Sequence, residues 1–436
     1  MGKIQENDAL ISVLKKLDFL STDIAIENNF PEIIFTSNHP SNLHPKHYIA
    51  LEFAENLEAD AVYFKYYDDN RFCVPQIYFY DNSTGIYDQN KIAEIHRNVY
   101  SSSQVALICI IDKKSISLFD TRIPVKVVDE NQITNKQCLI KEYDLVEELN
   151  ILSKYFNAKK LNSGDFWESD EASGHFKNSK SVYELLVEAL SVIRKDFHKV
   201  FQTFDVFSDV KSANNFADEI LFKCILMKYL EENGLAFAQQ FYQVNNLQKN
   251  SLNEILNAGN LIQLLEALDK HFNGNVFFID DNKKDILKKL DLSALASCLD
   301  GKYGSNSSLY IWEMYSFKHI PIELISNFYE EFIPKDKENS GTVYTPSHLV
   351  NLLIDECLPL SDKPEHLNYN VRLADVSCGS GIFITTAFKR LVQRLRIEKW
   401  ITQGKPNELP KPTLDEVKAV YPRIFLELTK MTQQLN

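Results

Sequence analysis

Positive charge is in short supply in this chain: 47 Lys and Arg stand against 60 Asp and Glu, a formal net charge of −13. So acidic a chain has no bulk attraction for a nucleic-acid backbone or an anionic membrane, and any contact with DNA must rest on a local basic patch. Long apolar runs are missing as well. No stretch approaches the roughly 18 to 20 residues of a spanning helix. The amino terminus, MGKIQENDALISVLKKLDFL, mixes charge with apolar residues where a secretory signal would carry an apolar core. Gly2 is present, but the sixth residue is Glu6 rather than Ser or Thr, which argues against myristoylation. The seven cysteines (Cys73, Cys109, Cys138, Cys224, Cys298, Cys357 and Cys378) form no C-x-x-C pair, so they read as reduced core thiols rather than a zinc site or a disulfide framework. These absences lead us to expect a cytoplasmic protein with no membrane association and no metal.

What is present is ordinary globular material, 44% hydrophobic over 436 residues, enough for two or three cores. The class expected is α/β. The first 160 residues carry aromatic and β-branched runs (ADAVYFKYY, VPQIYFYD, QVALICIIDKKSISLFD) bounded by Asp, Asn and Ser, the pattern of strands. Between them, Ile92, Ile95 and Val99 fall at helical spacing, and a hairpin is expected at Lys113 and Lys114. Residues 1–160 are therefore read as an N-terminal α/β domain. In 161–179, apolar periodicity gives way to Ser, Gly, Asn and Asp, which reads as a linker. From 180 to 335 apolar residues recur at three and four, as in packed amphipathic helices.

After residue 336 the texture changes again. TPSHLVNLLIDECL reads as a helix that begins after Pro346. VRLADV reads as a buried strand, SCGSG as a turn, and IFITTAFKRLVQRLRIEKW as a long helix whose basic end suits the negative end of its dipole. Strand, Gly-x-Gly turn and helix together form the opening of a nucleotide-binding α/β unit. Glycine permits the tight turn and the close approach of a ligand, and the helix start offers free N–H groups to an anion. The glycines do not complete a G-x-G-x-x-G fingerprint, and no Gly-Lys-Ser/Thr follows for a P-loop. By themselves they fit a plain strand-to-helix turn equally well.

Read with the preceding segment, GTVYTPSHLVNLLIDECLP and RLADVSCGSGIFITTAFKRL, about 30 residues apart, resemble the adenine-N6 DNA methyltransferases of restriction-modification systems, of the type I modification-subunit and type IIG kind. The resemblance implies a Rossmann-like catalytic domain, incomplete here, over 336–436, with S-adenosyl-L-methionine as cofactor and double-stranded DNA as substrate of the complete enzyme. Restriction or specificity subunits are its expected partners. Tyr344, Thr345 and Pro346 would line the methionine end of the cofactor. The family's D-P-x-C-G-S-G-x-F-L motif falls on Asp375, Ser377, Cys378, Gly379, Ser380, Gly381 and Phe383, with Val376 in place of the proline. Asp375 would bind near the amino or methionine portion, and Gly379 and Gly381 would let the carboxylate end approach the backbone. Tyr344 and Phe383 also fit as core aromatics.

The family's Asn/Asp-Pro-Pro-Tyr/Phe segment, which holds and stacks the flipped base, occurs nowhere; HPSN at 39–42 lacks the second proline and the aromatic. The next strand's ribose-binding acid and a target-recognition domain are also missing, so no catalytic residue is assigned and methyl transfer is not expected of this chain. PTLDEVKAV (412–420) fits the family's continuation and YPRIFLELTKMTQQLN does not. With permitted codons, the tail read in a shifted frame spells LSKDIFGIDKNDPTAK, so a frameshift near Val420 is expected. A non-enzymatic DNA- or partner-binding module with a decayed methyltransferase remnant is the second reading. A third is a nuclease: Asp112 and Lys114 make an Asp-x-Lys, half of a PD-(D/E)xK metal site, with Asp60 or Asp81 as partner. A solvated hairpin turn is the stronger reading of that pair. His96 reads as a partly buried helix histidine, and Glu330 and Glu331 as a solvated face.

Overall fold

The structure, a computed structural model, describes residues 8–20, 31–40, 43–66, 73–129, 132–174, 180–247, 249–272, 276–301, 314–325, 328, 345–369, 371–375 and 381–420. It is of mixed α/β class. Helix α1 (Asp8–Lys16) is followed by β1 (Ile33–Phe35), α2 (Pro45–Asn56), β2 (Ala61–Tyr66), β3 (Cys73–Asn82), α3 (Gln89–Ser102), β4 (Leu107–Asp112), β5 (Ser115–Asp120), β6 (Lys126–Asp129), β7 (Gln132–Thr134) and β8 (Leu139–Asp144). Six strands make one sheet in the order β1-β2-β3-β4-β5-β8, while β6 and β7 form a separate ribbon. All neighbours in the large sheet are antiparallel except β3 and β4, which run parallel because α3 carries the chain across. The expected hairpin is the β4–β5 pair.

Strict alternation of side chains gives this sheet two cores. Val62, Phe64, Tyr78, Tyr80, Ile108 and Ile110 face α2 and α3. Ala61, Tyr63, Ile77, Phe79, Leu107, Cys109 and Ile111 face the other way, onto α1. The second face is also closed by α4 (Leu149–Leu152), α5 (Ala158–Ser163), α6 (Asp165–Glu168) and α7 (Asp170–Ser173). Residues 161–173, expected as part of a linker, are thus structured. Leu161, Phe166 and Ala172 are each at most 2% exposed, and sinking those three side chains outweighs the turn-forming character of the Ser, Gly and Asp between them.

A helical region follows: α8 (Val182–Phe201), α9 (Val210–Asn233), α10 (Leu235–Val244), α11 (Leu252–Asn257), α12 (Leu261–His271), α13 (Asp281–Leu287) and α14 (Ser293–Leu299). Capping boxes at Ser181–Glu184 and Asp209–Ser212 start α8 and α9. The helices share one core. Within it, buried Asp218 accepts both arms of the Arg194 guanidinium at 2.7 and 2.6 Å and the His198 ring at 2.8 Å. Among the described residues no helix is long and apolar enough to cross a membrane.

The last described elements are α15 (Ser347–Cys357), α16 (Ile382–Thr402) and α17 (Leu414–Val420). They do not stand apart from the sheet: Leu360, Leu367, Ile397, Trp400 and Leu409 join the core on the α2–α3 face. Residues 371–375, expected as a buried strand, belong to neither sheet, and their burial alternates between half-buried and exposed. An apolar run becomes a strand only beside a neighbour, and both described sheets are built from residues 33–144.

Candidate functional site

Two helix starts define the site. α15 has Pro346 as its N-cap, at φ −58° and ψ 142°, and α16 has Gly381, at φ 77° and ψ 17°. Neither residue has a side chain able to accept the first free N–H groups, whereas α3 is capped by Asp88 and α8 by Ser181. At Gly381 a Cβ would meet nothing within 4 Å, so glycine serves the left-handed backbone there rather than crowding.

The relative direction of the helices follows from their cross-links. Arg390 Nη2 donates to Asp355 Oδ1 at 2.6 Å and Nη1 to the Leu358 carbonyl at 2.8 Å. One turn on, Arg394 donates from Nη2 and Nε to the Pro359 carbonyl at 2.9 and 3.2 Å. As Arg390 gives way to Arg394 the acceptors advance from Asp355 on α15 and its C-cap Leu358 to Pro359 just beyond, the order of two helices that run in the same sense. Ser347 lies eight residues before Asp355, and Ile382 eight before Arg390. At 1.5 Å per residue both starts are about 12 Å back from that link, at one end of the pair. Val350 and Ile354 share a core with Ile382, Ala387, Leu391 and Leu395 along the seam.

Of the residues singled out from the sequence, Thr345, Pro346, Asp375, Gly381 and Phe383 are described. Tyr344, Ser377, Cys378, Gly379 and Ser380 lie outside the described residues, as do Glu330, Glu331 and the tail after Val420. Phe383 is half-buried and packs against the α15–α16 core, as a core aromatic does. Sequence reasoning missed the arginines. Arg390, Arg394 and Arg396, read as a dipole-matched helix end, are committed to other segments, and of the basic residues only Lys399 stands in the last turn. Arg396 Nη1 donates to Glu52 Oε2 on α2 at 2.9 Å and its Nε to the Pro410 carbonyl at 2.8 Å. Their signal in the sequence is the spacing, since positions 390 and 394 share one helix face.

A second group sits at the strand ends in the middle of the sheet. Because β3 and β4 are parallel and β2 starts beside their ends, Asp60, Asp81 and Asp112 come to one end of these strands. Asp60 Oδ2 accepts the Asp81 N–H at 2.7 Å, and Asp81 Oδ1 accepts that of Ser83 at 2.9 Å. Thr36, Glu55, Glu58, Asp60 and Asp81 line a cavity of about 340 Å³. Asp112 is elsewhere engaged, accepting from Asn82 Nδ2 at 2.5 Å. Burial raises its pKa, against the Asn82 bond, which lowers it. Lys114 is exposed on the hairpin, where its charge acts on Asp144. Among the described residues no group of three or more His, Cys, Asp and Glu is placed to hold a metal ion. His96 is fully buried, its Nε2 2.9 Å from the Ile123 carbonyl, a core position rather than that of a base.

No family model matches the chain, and no solved structure matches it. The matched segment covers 22% of the length of a curated relative and 42% of this chain. Over 232 residues at 27% identity, the chain is similar to the type II restriction enzyme and methyltransferase RM.Eco57I of Escherichia coli.

Proposed function

We propose that this chain is part of a restriction-modification DNA methyltransferase acting on adenine N6, and that the paired starts of α15 and α16 form the methionine end of its S-adenosyl-L-methionine pocket. The observation that supports this most directly is the placement of Thr345–Pro346 and Gly381 at the same end of two parallel helices. Two helix starts without side-chain caps turn their first-turn N–H groups and positive dipole ends toward one carboxylate. The cofactor's carboxylate is such a group, and Asp375, six positions before Gly381, is the acid for its amino group. When bound, the cofactor supplies an electrophilic methyl group for in-line attack by the adenine amino nitrogen. In this reading Gly381 gives the backbone approach, Pro346 directs the start of α15, and Phe383 holds the first turn of α16 against the core.

Similarity to a restriction enzyme and methyltransferase supports DNA as the substrate class, with the whole enzyme's activity a proposal for a longer assembly. Since no Asn/Asp-Pro-Pro-Tyr/Phe segment occurs in the chain, cofactor binding without methyl transfer is the expected behaviour. Titration calorimetry with S-adenosyl-L-methionine tests the pocket, and incubation with methyl-labelled cofactor and duplex DNA tests the activity. Absence of binding overturns the pocket, and label incorporated into DNA overturns the expected inactivity.

A further inference from the structure

Arg394 is 4% exposed, and among the described residues no carboxylate reaches it. Its guanidinium is satisfied by main-chain carbonyls alone: Pro359 through Nη2 and Nε at 2.9 and 3.2 Å, and Asn368 through Nη1 at 2.8 Å. A buried cation held only by carbonyl dipoles is costly to keep, and a second cation, Arg390, lies one turn away. Burial and that neighbour both lower the pKa of Arg394. A role in packing alone is filled more cheaply by Leu or Met, so the geometry of the contacts carries the explanation.

The two carbonyls occupy informative places in the chain. Pro359 follows the C-cap of α15, Leu358, and Asn368 closely precedes the 371–375 segment, which lies between α15 and α16 in the sequence. One side chain on α16 thus grips the chain where it leaves α15 and again at Asn368. Arg390 adds the Leu358 carbonyl and Asp355. Together they fix how far α15 slides along α16, and therefore whether Pro346 and Gly381 stay level.

We propose that Arg394 is a positioning residue for the cofactor end of the site, acting through the Pro359 and Asn368 carbonyls from just past the middle of α16. This inference rests on the S-adenosyl-L-methionine reading above for its functional consequence, and on the carbonyl clamp alone for its structural one. Lysine retains the charge but cannot direct two parallel donors at one carbonyl and a third at another.

The test uses the full chain and compares Arg394→Lys with Asp218→Asn, which disturbs the Arg194–His198 network in the helical region. Expected for Arg394→Lys is a loss of about tenfold or more in calorimetric affinity for S-adenosyl-L-methionine, because misplacing one half of a site by an ångström is enough. Expected for Asp218→Asn is an equal or larger fall in melting temperature with affinity unchanged. Hydrogen exchange supplies the independent readout: amides of Ser347–Cys357 exchange faster in Arg394→Lys while those of Val182–Phe201 do not. Unchanged affinity together with unchanged exchange overturns the proposal. If the native chain binds no cofactor, the pocket reading fails, and exchange by itself decides the clamp: faster exchange confined to α15 supports it and unchanged exchange refutes it. Should Arg394→Lys fail to fold, Arg390→Lys breaks the adjoining half of the clamp and is read by the same two measurements.

Discussion

Replacing Trp400 with alanine tests whether the end of α16 is a structural part of the N-terminal sheet. Trp400 is 1% exposed and sits in the core shared with Val62, Phe64, Tyr78 and Ile108. Its ring lies 5.3 Å from that of Tyr48 on α2, and its Nε1 donates to the Pro406 carbonyl at 2.6 Å. A Trp-to-Ala change in a packed core removes the transfer energy of the ring and leaves a cavity, about 3 to 5 kcal/mol together. The indole hydrogen bond adds about 1 kcal/mol, which water recovers in part if the cavity opens. A loss of about 4 kcal/mol is therefore expected. Because the indole bridges two segments, the loss falls on both. Hydrogen exchange measured amide by amide should show the opening free energy of β2 and β3 falling by several kcal/mol along with that of α16, while α8 and α9, in a separate core, stay unchanged. If β2 and β3 keep their protection and only residues beyond 345 open, the C-terminal helices are a detachable attachment and the shared core has no energetic meaning.

Three further outcomes follow from individual contacts. Gly381→Ala should cost about 1 kcal/mol from the left-handed backbone alone, since a Cβ there meets nothing within 4 Å, and it should weaken cofactor binding in calorimetry. Burial pushes the His96 pKa down to about 4 from an ordinary 6.5. The folded state therefore holds the neutral ring, its stabilising effect is complete above pH 6.5 and declines as pH falls toward 4, and about 2 kcal/mol is lost between pH 7 and pH 5. Denaturant midpoints at those two pH values should converge in His96→Gln. Glu52→Gln should cost about 1 kcal/mol, less in high salt, because Arg396 is largely buried while Glu52 is 35% exposed; chemical denaturation at two salt concentrations checks it.

Much of the architecture was legible in local pattern. Alternation in AVYFKY and VPQIYFYDN sorts residues to the two faces that the sheet in fact has. Spacing by three and four in 182–299 marks the helices, and the acceptor before each of α8 and α9 marks its start. The order of Thr345–Pro346 and Gly381 along the chain also pointed to two helix starts. Three things were not legible. Leu161, Phe166 and Ala172 are too sparse to form a period, yet each is buried by the sheet. Residues 371–375 have strand composition, but composition supplies no neighbouring strand. Arg390 and Arg394 look in sequence like any basic helix face, because a carbonyl acceptor carries no residue identity that could announce the pairing.

By itself, then, the sequence determined the strands before residue 144 and the helices of 182–299, and which side of each is apolar, since those properties are set within a few residues by backbone sterics and side-chain period. Only the tertiary structure decided that Trp400 closes the same core as Tyr48. It also decided that α15 is tied to α16 through two arginines, and that Asp112 accepts from Asn82. Those choices are made between residues tens to hundreds of positions apart. An apolar face or a guanidinium states only that it needs a partner, and the identity of the partner is settled by where the rest of the chain can bring one.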